Sequence, residues 1–84
     1  MTHVDNHSLI RDFPEYRQQI HDLKMSDAHF VRVHAEYEAL DREIIRVEEG
    51  LEHRSDQALE TLKMHRVQLK DQLYQMLVAV SGKD

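Results

Sequence analysis

The sequence predicts an all-α fold: an antiparallel helical hairpin, coiled-coil-like, with a short N-terminal helix packed at its open end. Three observations carry this prediction. Apolar residues recur with a heptad rhythm in two long stretches, only a short glycine-led connection separates those stretches, and the 84 residues include just 2 glycines and 1 proline. So little punctuation leaves room for few loops. The chain is one domain over residues 1–84, and at this length its core is marginal without support. There is no cysteine, which removes a disulfide framework and thiolate metal ligation. Charged residues make up 32% and aromatics 6%, a balance that suits long helices with a wet face better than a barrel or sandwich.

Taken in order, residues 1–12 read as a polar, flexible tail in which Leu9 and Ile10 can add a turn. A short helix is expected over 14–24. Pro14 fits its first position, where the missing N–H costs nothing, and pushes Phe13 out of the α region. A long helix follows over 27–49, with Ser26 as its N-cap, Asp27 in the first turn, and Gly50 at the left-handed position that ends it. The last helix spans 56–79, capped by Ser55 or Asp56 and stopped at Ser81-Gly82. The connection over 50–55 is short enough to force the two long helices antiparallel.

The seam itself is explicit. Phe30, Val33, Tyr37, Leu40, Ile44 and Val47 repeat at alternating spacings of three and four. Leu59, Leu62, Arg66, Leu69, Leu73, Met76 and Val80 keep the same rhythm, an a/d pattern. Folding the chain back pairs Val47 with Leu59, Ile44 with Leu62, Leu40 with Arg66, Tyr37 with Leu69, Val33 with Leu73 and Phe30 with Met76, and every pair of positions sums to 106. In that register Glu48 faces Lys63 and Asp41 faces Lys70, opposite in sign, while Glu43 meets His65 and Glu36 meets Gln72. Exposed ion pairs are worth about 0.2–1 kcal/mol each, so these select the register more than they stabilise it. Arg66 is the polar member of the seam. Two compatible readings apply: its stem packs on Leu40 while the guanidinium reaches Asp41 or Glu43, or it is a device that fixes register or oligomeric state.

The two broad faces of the hairpin differ. One is polar throughout its middle apart from Ala39. The other carries Val31, Ile45, Val67, Tyr74 and Leu77, which a two-helix seam cannot cover. Val31, Tyr74 and Leu77 lie near the open end, where the first helix brings its own stripe of Phe13, Tyr16, Ile20 and Leu23. Ile45 and Val67 lie nearer the tip and point to a partner or a second copy. All five are candidate members of an interaction surface.

Several motifs together resemble a known family. Phe13-Pro14-Glu15-Tyr16-Arg17, Ile20, Leu23-Lys24, His29-Phe30, Leu40-Asp41, Ile44, Glu48-Glu49-Gly50, Leu69-Lys70-Asp71-Gln72-Leu73-Tyr74 and Met76-Leu77 resemble the YdcH-like family of small bacterial proteins. The resemblance covers about Phe13 to Leu77. It implies a helical hairpin and brings no catalytic residue and no cofactor.

Chemistry-bearing patterns are sparse. Seven histidines are many for this length. His3 and His7 stand four apart, a spacing that chelates a metal on a helix, but they lack further ligands. His29 and His34 do not share a face. His29, in the first turn of the second helix, and His65 beside Glu43 are pH-switch candidates; the plainer reading is a side chain packed near the N-terminal tail or in solvent for His29 and an ordinary surface pair for His65. Tyr16, Tyr37 and Tyr74 could stack bases, yet the first two fall on buried stripes. There is no phosphate loop, nucleophile elbow or converging acid–base pair, so the expectation is no enzyme, no metal and no cofactor.

Net charge is −5 with histidine neutral. The second helix carries 7 acids against 3 bases and the third 3 against 3, so no basic stripe supports direct nucleic-acid contact. The opening residues lack the basic and apolar regions of a signal peptide, and no run approaches a membrane span of about 20 apolar residues. The expected role is a non-catalytic, cytoplasmic protein–protein interaction module whose partner is unknown, with a weak homodimer as one form of self-association. The alternative is an accessory protein in RNA or nucleic-acid regulation.

Overall fold

The computed structural model describes residues 8–82. Four α-helices and no strand occur among the described residues: α1 Ser8–Asp12, α2 Arg17–Ser26, α3 Ala28–Glu48 and α4 Asp56–Ser81, with a 3-10 turn Pro14–Tyr16 between α1 and α2. The fold is all-α, and α3 and α4 form the antiparallel hairpin.

Local chemistry sets the boundaries. The α3 N-cap is Asp27, not Ser26: its carboxylate accepts from the Phe30 N–H at 3.1 Å. Ser26 closes α2 instead, its hydroxyl donating to the Asp22 carbonyl at 2.8 Å. The two helices thus meet at a single extended residue, which the sequence reading displaced by one. Ser55 caps α4, accepting from the Ala58 N–H at 3.1 Å. Gly50 and Gly82 take φ of 79° and 74°, left-handed values that a side chain would disfavour, and they end α3 and α4. At the tip the Leu51 and Glu52 N–H groups both donate to the Arg46 carbonyl, at 2.9 and 3.2 Å. At the other end Pro14 opens a 3-10 turn rather than an α-turn before the chain relaxes into α2.

The seam forms the core. Phe30, Val33, Tyr37, Leu40 and Ile44 of α3 are buried with Leu69 and Leu73 of α4, and Leu59, Leu62 and Met76 pack partly buried against them. Val80 departs from expectation and is 52% exposed. Its register partner would be residue 26, and there the chain has already turned into α2, so no α3 side chain remains to cover it.

The N-terminal segment contributes more than expected. Residues 8–12 are helical, and Leu9 is buried with Tyr16, Ile20 and Leu23 in the same core. The Phe13 N–H donates to the Leu9 carbonyl at 2.9 Å and fixes the exit of α1. Residues 8–12 of the stretch read as a flexible tail are therefore α1; residues 1–7 lie outside the described residues. Leu77 is wholly buried, so it belongs to the core and not to a surface. It belongs to the same buried cluster as Leu9, Tyr16, Ile20 and Leu23, so the N-terminal elements add to the core a layer that a bare hairpin lacks.

Candidate interaction surface

The flank of the hairpin is organised by ion pairs. Lys63 Nζ lies 2.9 Å from Glu48, in the register read from the sequence. That hydrogen bond, with the lysine charge, lowers the Glu48 pKa. Asp41 pairs not with Lys70 but with Arg66, at 2.6 Å. The guanidinium of Arg66 thus reaches Asp41, the rim contact that the first of its two readings named. Lys70 instead reaches Asp12 at 3.2 Å, and the Tyr37 hydroxyl donates to the same carboxylate at 3.2 Å. Burial, with Asp12 and its hydrogen bond next, raises the Tyr37 pKa to about 12. Asp12 arrives on α1, an element outside the two-helix register, which is why that register misassigned Lys70.

Glu43 does not meet His65. It accepts from Arg54 at 2.7 Å. Arg54 also lies 2.6 Å from Glu52, which Arg46 holds at 3.0 Å, so four charged side chains clasp the tip. The hydrogen bond from Arg46 is the largest cause of the lowered Glu52 pKa, and that to Glu43 of the raised Arg54 pKa. Glu36 and Gln72, paired in the sequence register, line one shallow hollow together.

Between the flank pairs lies the apolar surface. Val67 is 65% exposed, Val31 43%, Ile45 42% and Tyr74 36%. Ile45 follows Asp41 by four residues and precedes Glu48 by three, so it shares the side of α3 that makes the ion pairs with α4. Val67, Tyr74, Phe13, Lys70 and Asp71 line a groove of about 400 Å³. Its floor is aromatic: Phe13 stacks on Tyr74 with ring centroids 5.3 Å apart, and Tyr16 meets Tyr74 edge-on at 6.0 Å. Lys70 Nζ sits 5.6 Å from the Phe13 ring centroid. Burial, and then the neighbouring Tyr74, raise the Tyr16 pKa. A polar hollow of about 340 Å³ adjoins, lined by Arg11, Asp12, Tyr37, Asp41 and Arg66 and sharing Val67 and Lys70 with the groove.

Two members of this surface were missed in the sequence. Met64 is 62% exposed and stands three residues before Val67; the spacing 64-67-74 on a helix already carried that signal. Phe13 was assigned to the buried stripe, but it lines the groove.

A further polar residue was missed in the core. His34 is buried, its ring stacked on Phe30 at 5.9 Å, with Nε2 3.5 Å from a Glu38 carboxylate oxygen. Burial, followed by the Lys24 charge, lowers its pKa to about 4, which favours the neutral ring. His29 is exposed, with Nδ1 3.4 Å from Arg32. His3 and His7 lie outside the described residues. Among the described residues there is no group of three or more His, Asp or Glu side chains arranged to hold a metal, and no helix is long and apolar enough to cross a membrane.

Residues 30–77 match the family model described as a protein of unknown function (DUF465), and this span is more than half of the chain. The chain belongs to this family. It is the YdcH-like family of small bacterial proteins. The matched span begins and ends on wholly buried residues, Phe30 and Leu77, and takes in every seam position except Val80. The Phe13–Arg17 motif and the N-terminal elements fall before it. No curated protein and no solved structure matches the chain.

Proposed function

We propose that this YdcH-like chain is a non-catalytic helical module that acts in the cytoplasm by binding another protein through the surface containing Val67, Ile45 and Tyr74. The observation that carries the reading is the exposure of Val67 and Met64 beside an aromatic-floored groove. Met25 and Leu51 are exposed too, at 76% and 73%, but neither lines that groove. The non-catalytic part rests on the polar hollow. Its carboxylates, Asp41 and Asp12, are held by Arg66 and Lys70 at 2.6 and 3.2 Å, so neither stands ready as a base.

Site-specific photo-crosslinking tests this reading. A photoreactive residue at position 67 should trap a discrete protein adduct in cells, and Tyr74→Glu should abolish that adduct. An adduct sensitive to ribonuclease would move the assignment to the RNA-regulation class. No adduct at 67, with equal adducts at positions on the polar face, would remove the surface from consideration.

A further inference from the structure

The outer side of α4 carries a second stripe. Glu60, Met64, Val67, Asp71 and Tyr74 follow spacings of four, three, four and three, a short heptad run on the side away from the seam. All five are exposed. The seam uses Leu59, Leu62, Arg66, Leu69 and Leu73, so one helix presents two heptad faces. Two members of the outer stripe are acidic. The neighbouring cations are already committed, Lys63 to Glu48 and Lys70 to Asp12. Glu60 and Asp71 make no ion pair among the described residues. The outer stripe therefore combines apolar side chains with two uncompensated negative charges.

This charge pattern bears on what can cover the stripe. A second copy would lay α4 antiparallel on α4 about a two-fold axis. Two registers bring the apolar residues together. One sets Met64 against Val67 of the other copy and at the same time sets Glu60 against Asp71, like against like. The other sets Met64 against Tyr74 and places each Asp71 carboxylate on a valine, desolvated without a partner. Self-pairing is frustrated in both.

A helix with aliphatic residues at its a and d positions and lysine or arginine opposite Glu60 and Asp71 meets no such conflict. Its cations would pair with the two acids, and its aliphatic side chains would cover Met64 and Val67 and enter the groove at Tyr74 and Phe13. We infer that the outer face of α4 docks an amphipathic helix of a different protein, basic at the positions that face Glu60 and Asp71. This rests on the interaction-module reading and names its partner class.

The test uses two fluorescein-labelled synthetic peptides of three heptads with leucine seams. One has arginine at the two positions that would face Glu60 and Asp71, and the other has glutamate there. Fluorescence anisotropy with the full chain should show the arginine peptide binding at least about tenfold tighter, with the difference shrinking as salt rises. Asp71→Arg lies on an exposed site and should keep the circular dichroism spectrum while reducing or reversing the preference. Equal affinity for both peptides, a preference untouched by Asp71→Arg, or no binding of either would overturn the inference. So would a micromolar dimer in sedimentation equilibrium that Val67→Glu dissociates, because a second copy would then be the occupant. If the peptides fail while the Tyr74-dependent crosslink at position 67 persists, the module reading stands and only the basic-helix partner is lost.

Discussion

Arg66 shows how one side chain in a seam can be read two ways until its partner is seen. Its guanidinium ends 2.6 Å from Asp41. Arg66→Leu would fill the seam but leave a half-buried carboxylate without its cation, so the single change should cost about 1–2 kcal/mol. Combined with Asp41→Leu it should recover that loss or exceed wild type. Urea unfolding of the single and double variants measures the coupling, and additive losses would mean that the pair contributes nothing jointly. His34 gives a pH dependence. Its folded pKa is about 4 against an ordinary value near 6.5. Between these values the unfolded chain binds more protons than the folded one. The contribution of His34 is therefore complete above about pH 6.5 and declines as pH falls toward 4. Unfolding midpoints measured from pH 7 to pH 4.5 should drop, and His34→Leu should flatten the part of the slope that this ring supplies.

The N-terminal segment behaves as a structural cover. Leu9, Ile20 and Leu23 are buried, and Leu77 of α4 is closed off from solvent on the side that they occupy. Leu9→Ala and Ile20→Ala should each cost about 2–4 kcal/mol in chemical unfolding. A chain beginning at Asp27 should melt lower and bind a hydrophobic dye, because Leu77 and Tyr74 lose their neighbours. An unchanged melting curve would show that α1 and α2 are only loosely attached. The tip follows another logic. Its clasp of Arg46, Glu52, Arg54 and Glu43 is largely solvent-accessible, and removing one member should change stability by no more than about 1 kcal/mol.

Across the whole molecule, stability and recognition fall on different sides of the same helices. A hairpin that buries one stripe per helix is a marginal fold. Here the seam and the N-terminal cover stabilise it, and the outer face of α4 is left out of that core. Val67→Glu should therefore change the unfolding free energy by less than about 0.5 kcal/mol while removing the crosslink at neighbouring positions such as Met64. Loss of the crosslink together with a large drop in stability would place Val67 in the core instead.

The sequence by itself determined the hairpin. Heptad spacing is a local property of each helix, and a short connection leaves one way to bring two such stripes together, so Phe30 through Met76 could be paired by position alone. The Lys63–Glu48 contact followed from the same register, because both residues sit on the helices that define it. Only the tertiary structure decided what α1 does. Five helical residues carry too weak a periodicity to announce a docked element, yet they place Leu9 in the core and Asp12 beside Lys70 and Tyr37. That arrival moved Lys70 away from Asp41 and left Asp41 to Arg66. Leu77 and Val80, three residues apart on one helix, were separated in the same way: the N-terminal elements cover the first, and the turn into α2 takes cover from the second. Which apolar side chains remain open depends on where the third layer lands, and that position is set by packing between segments that no spacing rule connects.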